Sequence, residues 1–438
     1  MSTNRNFSTK VKKNFNKFFD KPSITRISKR IGFIQRKAKK INAYNFVLGF
    51  LTSVSKGQNT LAGWAFEIGM LSGTSVSKQA VYDRLNDKSV AMAQALLKNA
   101  LLQQSTKQIA SELFSSFDHV LLQDSTTLKL PQSLSSAFPG NHSGGEQKAI
   151  ARIQSIIDIK AMRFIDFVLG SFTQNDQSAS SSILPWVKKG DLVIRDMGYF
   201  ALDTFAKMID KNIHFLSRLR FGVKLYDLNG KEILLKTLMK GNKAIDRWVY
   251  IGAERKLLVR LVMVPVPAKQ RADKVRKAKQ DRDKRLNHSS EYYRWLGYGT
   301  YITNVTKEVW LPKQVAQVYS VRWQIEIIFK SWKSGFHLQE MLHEGCTNEH
   351  RVRVNILLML LFVCLFMLKI YIRYKDGIER KTKKIISLLK SSVFIFQNLK
   401  DILSINDKKL KLIITQYCCY EKRLDRLNLV RCYKKYKN

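Results

Sequence analysis

The sequence predicts an α/β protein: a core of short strands and helices, a mainly β insertion in that core, and helical regions on both sides. Three observations predict this fold class. Apolar residues recur at helical spacing over residues 41–114. Short apolar runs bounded by turn residues begin near His119 and continue to Asn304, as strands do. From Leu311 onwards the pattern is helical again and strongly basic.

The charge balance is unusual for a chain of this size. Of 438 residues, 76 are Lys or Arg and 34 are Asp or Glu, which gives a formal net charge of +42. Such an excess predicts a polyanionic partner, either nucleic acid or an anionic membrane surface. The one membrane candidate, the apolar run 356–368, is too short to span a bilayer comfortably and indicates a buried helix. We therefore expect a soluble protein of a reducing compartment that binds nucleic acid and no membrane.

The cysteines give no sign of a metal or disulfide framework. There are five of them, an odd number, and all lie in the last quarter of the chain without Cys-x-x-Cys spacing. This pattern favours neither a zinc ribbon nor a disulfide scaffold, and it is typical of a reducing compartment.

The changes of pattern divide the chain into three regions. Residues 1–114 are expected to be a helical, basic, DNA-binding region, residues 115–345 the core, and residues 346–438 a helical basic C-terminal region. A β-rich insertion is expected within the core at about residues 205–310. In the first region, segment 77–85 has the pattern of a capped helix. Its polar side chains could face a DNA groove, as in a helix-turn-helix, or could belong to a solvated surface helix.

Two aspartates follow short apolar strands of the core. The run 120–122 leads into Asp124, and the run 191–195 leads into Asp196. Side chains at the carboxyl ends of neighbouring strands emerge together into a cleft at the sheet edge. We therefore expect Asp124 and Asp196 to share one site.

Three other aspartates of the core are weaker candidates. Asp118 precedes the strand that leads to Asp124, so its side chain is not expected at the carboxyl end. Asp158 and Asp166 lie within β-rich runs, where turn or surface positions are expected.

A helix predicted over residues 311–334 carries an unusual polar face. At about 100° per residue, five side chains fall within an arc of about 80°. They are Tyr319, Arg322, Glu326, Lys330 and Lys333. The opposite face is apolar and is expected to pack on the core; it carries Val321, Ile325, Ile328 and Trp332. An exposed ion-pair stripe would also fit, but such a stripe usually alternates signs, whereas here one carboxylate lies among cations.

This set of side chains suits phosphodiester chemistry. Two strand-end aspartates and one helical glutamate can hold two divalent metal ions, which activate an attacking oxygen and stabilise the leaving oxygen. Carboxylate ligands favour Mg²⁺ or Mn²⁺ over Zn²⁺, and nearby cations can bind backbone phosphates. The predicted catalytic and metal-binding residues are Asp124, Asp196 and Glu326. The predicted DNA-binding residues are Tyr319, Arg322, Lys330 and Lys333.

These residues resemble the signature of a known family. The spacing of Tyr319, Arg322, Glu326 and Lys333 matches the Y-(2)-R-(3)-E-(6)-K signature of a subgroup of the DDE transposases of bacterial insertion sequences. Segments 124–126 and 196–200 resemble the first and second aspartate motifs of that family. The resemblance covers roughly residues 115–345.

The resemblance implies an RNase H-like catalytic core with a mainly β insertion between Asp196 and Glu326. It implies a DNA transposase that cuts at the terminal inverted repeats of a transposon and joins the freed 3′-hydroxyl to target DNA. Two Mg²⁺ or Mn²⁺ ions would be the cofactors, and a homo-oligomer would bring two ends together. The partner would be double-stranded DNA, both transposon ends and target, and the protein would be cytoplasmic and nucleoid-associated. It also implies an aromatic residue that stacks on a flipped base, with Trp295, Trp310 and Trp323 as candidates.

Two other functions remain open at this point. The chain could be a catalytically inactive or repurposed DNA-end-binding protein. It could also be a metal-dependent nuclease without strand transfer, which would share the same carboxylates.

Overall fold

The structure is a computed structural model. The residues that it describes are 20–35, 40–104, 111–253, 257–280, 289–342, 344–382, 384–399 and 407–421. Residues 1–19, at the start of the predicted basic DNA-binding region, and residues 422–438 of the basic C-terminal region lie outside the described residues.

The described part of the N-terminal region is helical, as predicted. Its helices are α1 (Lys21–Ile31), α2 (Ala43–Ser55), α3 (Leu61–Ser72), α4 (Lys78–Tyr82) and α5 (Asp87–Leu102). Each begins after a side-chain oxygen that accepts a backbone N–H of the first turn, which stabilises the helix start. The capping residues are Asp20, Asn42, Thr60, Ser77 and Asn86. The apolar faces of α2 and α3 meet through rings such as Phe46 and Trp64, whose centroids are 4.5 Å apart.

The predicted capped helix in segment 77–85 is present as α4, capped by Ser77. Lys78, Gln79 and Tyr82 are exposed. Arg84 is half-buried, with its guanidinium over the ring of Phe33. A groove-facing role for this short helix stays a prediction.

One mixed sheet forms the centre of the protein. Its strands are β1 (Val120–Lys129), β2 (Pro139–Ser143), β3 (Glu146–Asp158), β4 (Arg163–Ser171), β5 (Leu192–Arg195), β6 (His214–Arg218), β7 (Leu225–Tyr226), β8 (Ile245–Ile251), β9 (Leu257–Pro265) and β10 (Tyr298–Thr303). The spatial order is β2-β3-β1-β5-β6-β10-β9-β8-β7, and β4 also pairs with β3. Strands β1, β3 and β4 form an antiparallel meander, and β5 and β6 continue it parallel to β1. This order and these directions are those of the RNase H-like fold, which confirms the predicted class.

The predicted insertion is mainly β and extends the same sheet. After β6 the chain adds β7 to β10 on the far side, and β10 pairs antiparallel with β6. Three helices accompany these strands: α7 (Leu235–Leu238), α8 (Ala268–Lys279) and α9 (Ser290–Trp295), with α6 (Leu202–Asp210) preceding β6. The added strands therefore begin after Arg218, not at about residue 205, because α6 and β6 form the second parallel unit of the core.

The helix predicted over residues 311–334 is not continuous. It consists of α10 (Pro312–Ser320) and α11 (Trp323–Lys330), followed by a π-helical turn at Ser331–Gly335. Between α10 and α11 the N–H groups of Val321 and Arg322 bond to the carbonyls three residues earlier, at 3.0 Å each. Such i→i−3 bonds tighten the helix and a π turn widens it, so the side chains do not keep one phase. Helix α10 packs on β6, β9 and β10, whereas α11 packs on β1.

The remaining described residues are mainly helical, as predicted. They form α12 (Glu349–Leu365), α13 (Ile372–Lys381), α14 (Leu388–Gln397) and α15 (Asp407–Tyr417), with a small pair of strands, β11 (Lys384–Ile386) and β12 (Cys419–Glu421). Helix α12 contains most of the apolar run 356–368 and is buried along that run, packed on α5, as the sequence predicted. Within the described ranges, no helix has both the length and the apolar character that a membrane span requires.

Candidate active site

The register of β1 and β5 brings the two predicted aspartates together. Their last parallel pair is Gln123 with Arg195, so Asp124 and Asp196 come next on the two neighbouring strands. The expectation that Asp124 ends a short strand was wrong. Strand β1 continues to Lys129 because β3 remains paired with it there, and Asp124 lies where the pairing with β5 stops.

The guanidinium of Arg322 joins the three predicted carboxylates. One terminal nitrogen, Nη1, donates to Asp124 Oδ2 at 3.0 Å, and the other, Nη2, donates to Glu326 Oε1 at 2.6 Å. Its Nε lies 3.7 Å from Asp196 Oδ1, an ion-pair distance. The structure therefore brings Asp124, Asp196 and Glu326 around one point, although they come from β1, the end of β5 and α11.

The three carboxylates differ in their exposure. The side chain of Asp124 is 14% exposed, whereas those of Asp196 and Glu326 are 41% and 36% exposed. Burial raises the pKa of Asp124 to about 6, against the attraction of Arg322 and a hydrogen bond from the Ser125 backbone N–H. At neutral pH the Asp124 carboxyl group is therefore expected to be mainly ionised beside the Arg322 guanidinium.

Tyr319 lies beside Asp196, not on an exposed helix face. Its hydroxyl donates to Asp196 Oδ1 at 3.1 Å, and its ring packs on Tyr301 of β10 with centroids 5.2 Å apart. Burial raises the pKa of Tyr319, so its hydroxyl remains a neutral donor. Tyr319 is buried, because α10 turns its ring towards Tyr301 of β10, so the alternative of an exposed stripe does not hold at this residue.

The two lysines predicted to bind DNA, Lys330 and Lys333, follow Glu326 in the chain. Lys330 ends α11 one turn after Glu326 and is exposed. Lys333 lies in the π-helical turn and is half-buried, and burial lowers its pKa. The structure holds both side chains on the segment that carries Glu326.

The donor set at this point fits divalent metal ions of the hard class. Asp124, Asp196 and Glu326 offer only carboxylate oxygens, the ligands that Mg²⁺ and Mn²⁺ favour. Three carboxylates facing one guanidinium also leave an excess of negative charge. The Arg322 guanidinium lies between these carboxylates. In the described part of the chain, no three Asp, Glu, His or Cys side chains are close enough together to hold one metal ion.

A polar cluster that the sequence did not predict lies beside the three carboxylates. Its members come from β1, β3, the loop after β4 and the turn after β5. They are Ser125, Arg152, Gln154, Asp176 and Tyr199. An Arg inside the apolar strand 150–157 was a signal that a buried acidic partner exists. Nothing in the polar stretch around Asp176 identified that partner.

Asp118 precedes β1, as predicted, and Asp166 lies on β4 and is half-buried. Asp158 ends β3 at the turn to β4, as predicted, and its Oδ1 accepts the backbone N–H groups of Lys160 and Ala161 in that turn. The alternative of a surface position for Asp158 was wrong, since its side chain is fully buried. It pairs with His119 at 2.9 Å and Arg163 at 3.5 Å, which fixes the turn between β3 and β4.

The three tryptophans considered for base stacking differ in their environment. Trp295 and Trp310 are buried, and Trp310 donates its indole N–H to the Leu113 carbonyl. Trp323 is 59% exposed and follows Arg322 directly. Of these three rings, that of Trp323 is the one with an open face.

Arg322→Ala is expected to destabilise the protein most when divalent cations are absent. The substitution removes the positive charge that three carboxylates share, and we expect it to lower the free energy of unfolding by about 3 kcal/mol. Because added Mg²⁺ can replace that charge, it should raise the melting temperature of the variant more than that of the wild type. Thermal unfolding with EDTA and with Mg²⁺ measures both effects.

Arg260→Ala is the matched control for this prediction. Arg260 makes a bidentate pair with Asp246 in the insertion, at 2.7 and 2.8 Å, away from the three carboxylates. Its loss should lower the melting temperature without a Mg²⁺-dependent recovery. Equal recovery of both variants would contradict a shared-charge role for Arg322.

The comparisons with known proteins agree with this geometry. Residues 115–366 match the family model for the transposase DDE domain, which is more than half of the chain. The chain therefore belongs to the family of DDE-domain transposases. This family acts on DNA and depends on divalent metal ions.

The relatives with known names are transposases of insertion sequences. The transposase of insertion sequence element IS231D from Bacillus thuringiensis subsp. finitimus is 27% identical over 402 residues, which cover 85% of this chain and 83% of the relative. That of IS1151 from Clostridium perfringens is 26% identical over 358 residues, 76% of this chain and 75% of the relative. A cryo-EM structure of the piggyBac transposase synaptic complex with hairpin DNA aligns over 95% of this chain and 86% of that chain, with a TM-score of 0.46 and 9% identity.

Proposed function

We propose that this transposase cuts DNA at the terminal inverted repeats of its element and joins the 3′-hydroxyl ends to target DNA. In this proposal Asp124, Asp196 and Glu326 hold two Mg²⁺ or Mn²⁺ ions. The observation that supports it best is the convergence of all three carboxylates on Arg322, from two strands and a helix.

The bound ions would supply an activated oxygen nucleophile and would stabilise the charge on the leaving oxygen. The protein's own groups then orient the DNA. Once the carboxylates are neutralised by cations, Arg322 is available to pair with a backbone phosphate in a bidentate manner. In this proposal Tyr319 orients Asp196 through its hydroxyl and contacts a phosphate near the cut.

Lys330 and Lys333 are proposed to bind phosphates beside the scissile bond. Each phosphate contact releases counterions, so the logarithm of affinity falls with that of salt concentration by about 0.9 per contact. Lys330→Ala is expected to weaken binding to a transposon end and to reduce this salt slope by about 0.9. Fluorescence anisotropy at several salt concentrations measures the slope.

Lys211→Ala is the control for the lysine prediction. Lys211 is exposed and immediately precedes β6, at the amino end of the parallel strands and so at the edge opposite the carboxylates. The slope of this variant should equal that of the wild type. If Lys330→Ala also keeps the wild-type slope, Lys330 does not contact phosphate.

The proposal includes a homo-oligomer on chromosomal DNA, because joining requires two transposon ends to be held together. The test starts from the DNA that flanks the gene, searched for short inverted repeats. A duplex that carries such a repeat is incubated with the full chain, Mg²⁺ and a target plasmid. Cleavage at the repeat and covalent joining to the plasmid are expected, with two ends in one complex by light scattering. Cleavage without joining would favour a nuclease, and binding without cleavage would favour an inactive end-binding protein.

A further inference from the structure

The carboxylate of Asp176 lies at the centre of the polar cluster beside the site. Its Oδ1 accepts hydrogen bonds from Ser125 Oγ at 2.7 Å, from Arg152 Nη1 at 2.8 Å and from Gln154 Nε2 at 3.1 Å. These donors lie on β1 and β3, whereas Asp176 comes from the loop after β4. The Asp176 carboxylate therefore connects the adjacent strands β1 and β3 beside Asp124.

The cluster reaches Asp124 through the next residue of β1. The backbone N–H of Ser125 donates to Asp124 Oδ1 at 2.8 Å. The hydroxyl of the same Ser125 is held by Asp176, and Arg152 Nη1 also contacts it at 3.1 Å. A shift of Ser125 would therefore turn the Asp124 carboxylate.

The cluster reaches Asp196 through the turn that follows it. A Cβ added at Gly198 would lie 3.1 Å from Asp176 Oδ2, so the glycine permits the turn to rest directly on this carboxylate. The hydroxyl of Tyr199 donates to Gln154, which is itself bonded to Asp176. The turn after Asp196 thus packs against the Asp176 carboxylate, which also binds the hydroxyl of Ser125, the residue after Asp124.

The pair of Asp176 and Arg152 is largely buried. The side chain of Arg152 is 9% exposed, and its guanidinium also packs on the ring of Phe172, 4.8 Å from the centroid. Apolar residues of similar volume could be as stabilising as a buried ion pair. They could not supply the negatively charged oxygen that accepts three directed hydrogen bonds here. Such bonds are about twice as strong as those to a neutral amide oxygen, so the charge as well as the shape of Asp176 fixes the geometry.

We propose that Asp176, paired with Arg152, is a positioning residue that orients both Asp124 and Asp196. It contacts neither DNA nor metal in this proposal and acts through Ser125 and the turn at Gly198. The inference rests on the proposed function, since it assumes that these two aspartates hold divalent cations. In other metal sites, loss of a residue that hydrogen-bonds to the metal ligands typically weakens metal binding by roughly 10-fold to 100-fold.

The test is Mn²⁺ binding to the full chain, followed by the loss of the free Mn²⁺ signal in electron paramagnetic resonance. Asp176→Asn should weaken Mn²⁺ binding by about 10-fold or more. Its affinity for a transposon-end duplex in EDTA should stay within about twofold, because no proposed phosphate contact changes. Wild-type Mn²⁺ affinity in a folded Asp176→Asn protein would overturn the proposal.

Asp246→Asn is the matched control. Like Asp176→Asn, it breaks an Arg–Asp pair, in this case between strands β8 and β9. The partner, Arg260, otherwise donates to the carbonyls of Val305 and Trp310. A purely structural loss would weaken Mn²⁺ binding equally in both variants and would overturn the positioning role. If Asp176→Asn does not fold, the double variant Asp176→Asn with Arg152→Gln leaves no unpaired charge, and it should fold and still bind Mn²⁺ about 10-fold more weakly.

The same titration separates failure of this inference from failure of the proposed function. Asp124→Asn should abolish high-affinity Mn²⁺ binding if the carboxylates form the metal site. If the wild type and Asp124→Asn bind Mn²⁺ alike, the proposed metal site is wrong and the positioning role falls with it. If Asp124→Asn loses Mn²⁺ and Asp176→Asn does not, the metal site stands and only the role of Asp176 is overturned.

Discussion

Asp196→Asn is expected to abolish DNA cleavage, with a loss of about 10³-fold or more, while binding of transposon ends is retained. Asparagine keeps the shape of the side chain, and its carbonyl oxygen can still accept the hydrogen bond that Tyr319 donates to Asp196 at 3.1 Å. It removes the negative charge that a divalent cation requires. Cleavage of an end-labelled duplex and fluorescence anisotropy with the same duplex measure the two effects.

The same result is expected for Asp124→Asn and Glu326→Gln, because each contributes one carboxylate to the group around Arg322. Asp210→Asn is the matched control. Asp210 is exposed at the end of α6, shortly before β6 begins, so it lies at the edge of the sheet opposite the site. It should cleave as the wild type does. Cleavage by any of the three site variants at more than about a tenth of the wild-type rate would remove that residue from the metal site.

The sequence predicted the position of a candidate side chain well where that position depends on a single strand or helix. Asp196 directly follows an apolar run that forms β5, and that run alone predicts where the side chain emerges. The spacing of Arg322 and Glu326 by four residues likewise predicted neighbouring side chains, and the structure shows them bonded at 2.6 Å. Both inferences use only the periodicity of a single element.

The sequence did not predict the position of a candidate side chain where that position depends on pairing between distant elements. The position of Asp124 follows from the register of β1 with β5, which stops one residue earlier at Gln123, while β3 extends β1 beyond it. The burial of Tyr319 follows from Tyr301, which lies on a strand of the insertion. Neither register nor insertion packing is encoded in a short window of residues.

The phase of the signature helix shows the same limit on a smaller scale. A wheel of about 100° per residue places Tyr319, Glu326 and Lys333 on one face. The tight turn at Arg322 and the wide turn at Ser331–Gly335 change that angle locally, so Tyr319 is buried whereas Glu326 and Lys333 are half-buried. Such turns arise from packing and not from helix propensity.

Asp176 is the strongest example of information that a single sequence does not display. It lies among Thr, Gln, Asn and Ser residues, a composition typical of any surface loop. Its significance depends on where that loop returns, next to Ser125 and Gly198. Only Arg152, a charge within an apolar strand, indicated that a buried acidic partner was needed.

Trp332→Ala is expected to cause the largest loss of stability among single substitutions near the site, about 3–5 kcal/mol in the free energy of unfolding. The indole is fully buried, and its ring centroid lies 4.9 Å from that of Phe329 and 5.8 Å from those of Phe164 and Phe167. These contacts attach the end of α11 to β4. Chemical denaturation monitored by circular dichroism measures the loss.

Two further variants separate packing from other effects of the ring. Trp323→Ala changes the same residue type at the start of α11, but that indole is 59% exposed, so stability should change by no more than about 0.5 kcal/mol. Trp332→Phe keeps most of the aromatic contact and removes an indole N–H that has no hydrogen-bond partner among the described residues. Since an unpaired buried donor costs about 1–3 kcal/mol, this variant should lose far less than Trp332→Ala. If Trp332→Ala were as stable as the wild type, the aromatic contacts of Trp332 would not hold the segment that carries Glu326. The packing of α11 on β1 would then have to determine where the glutamate lies.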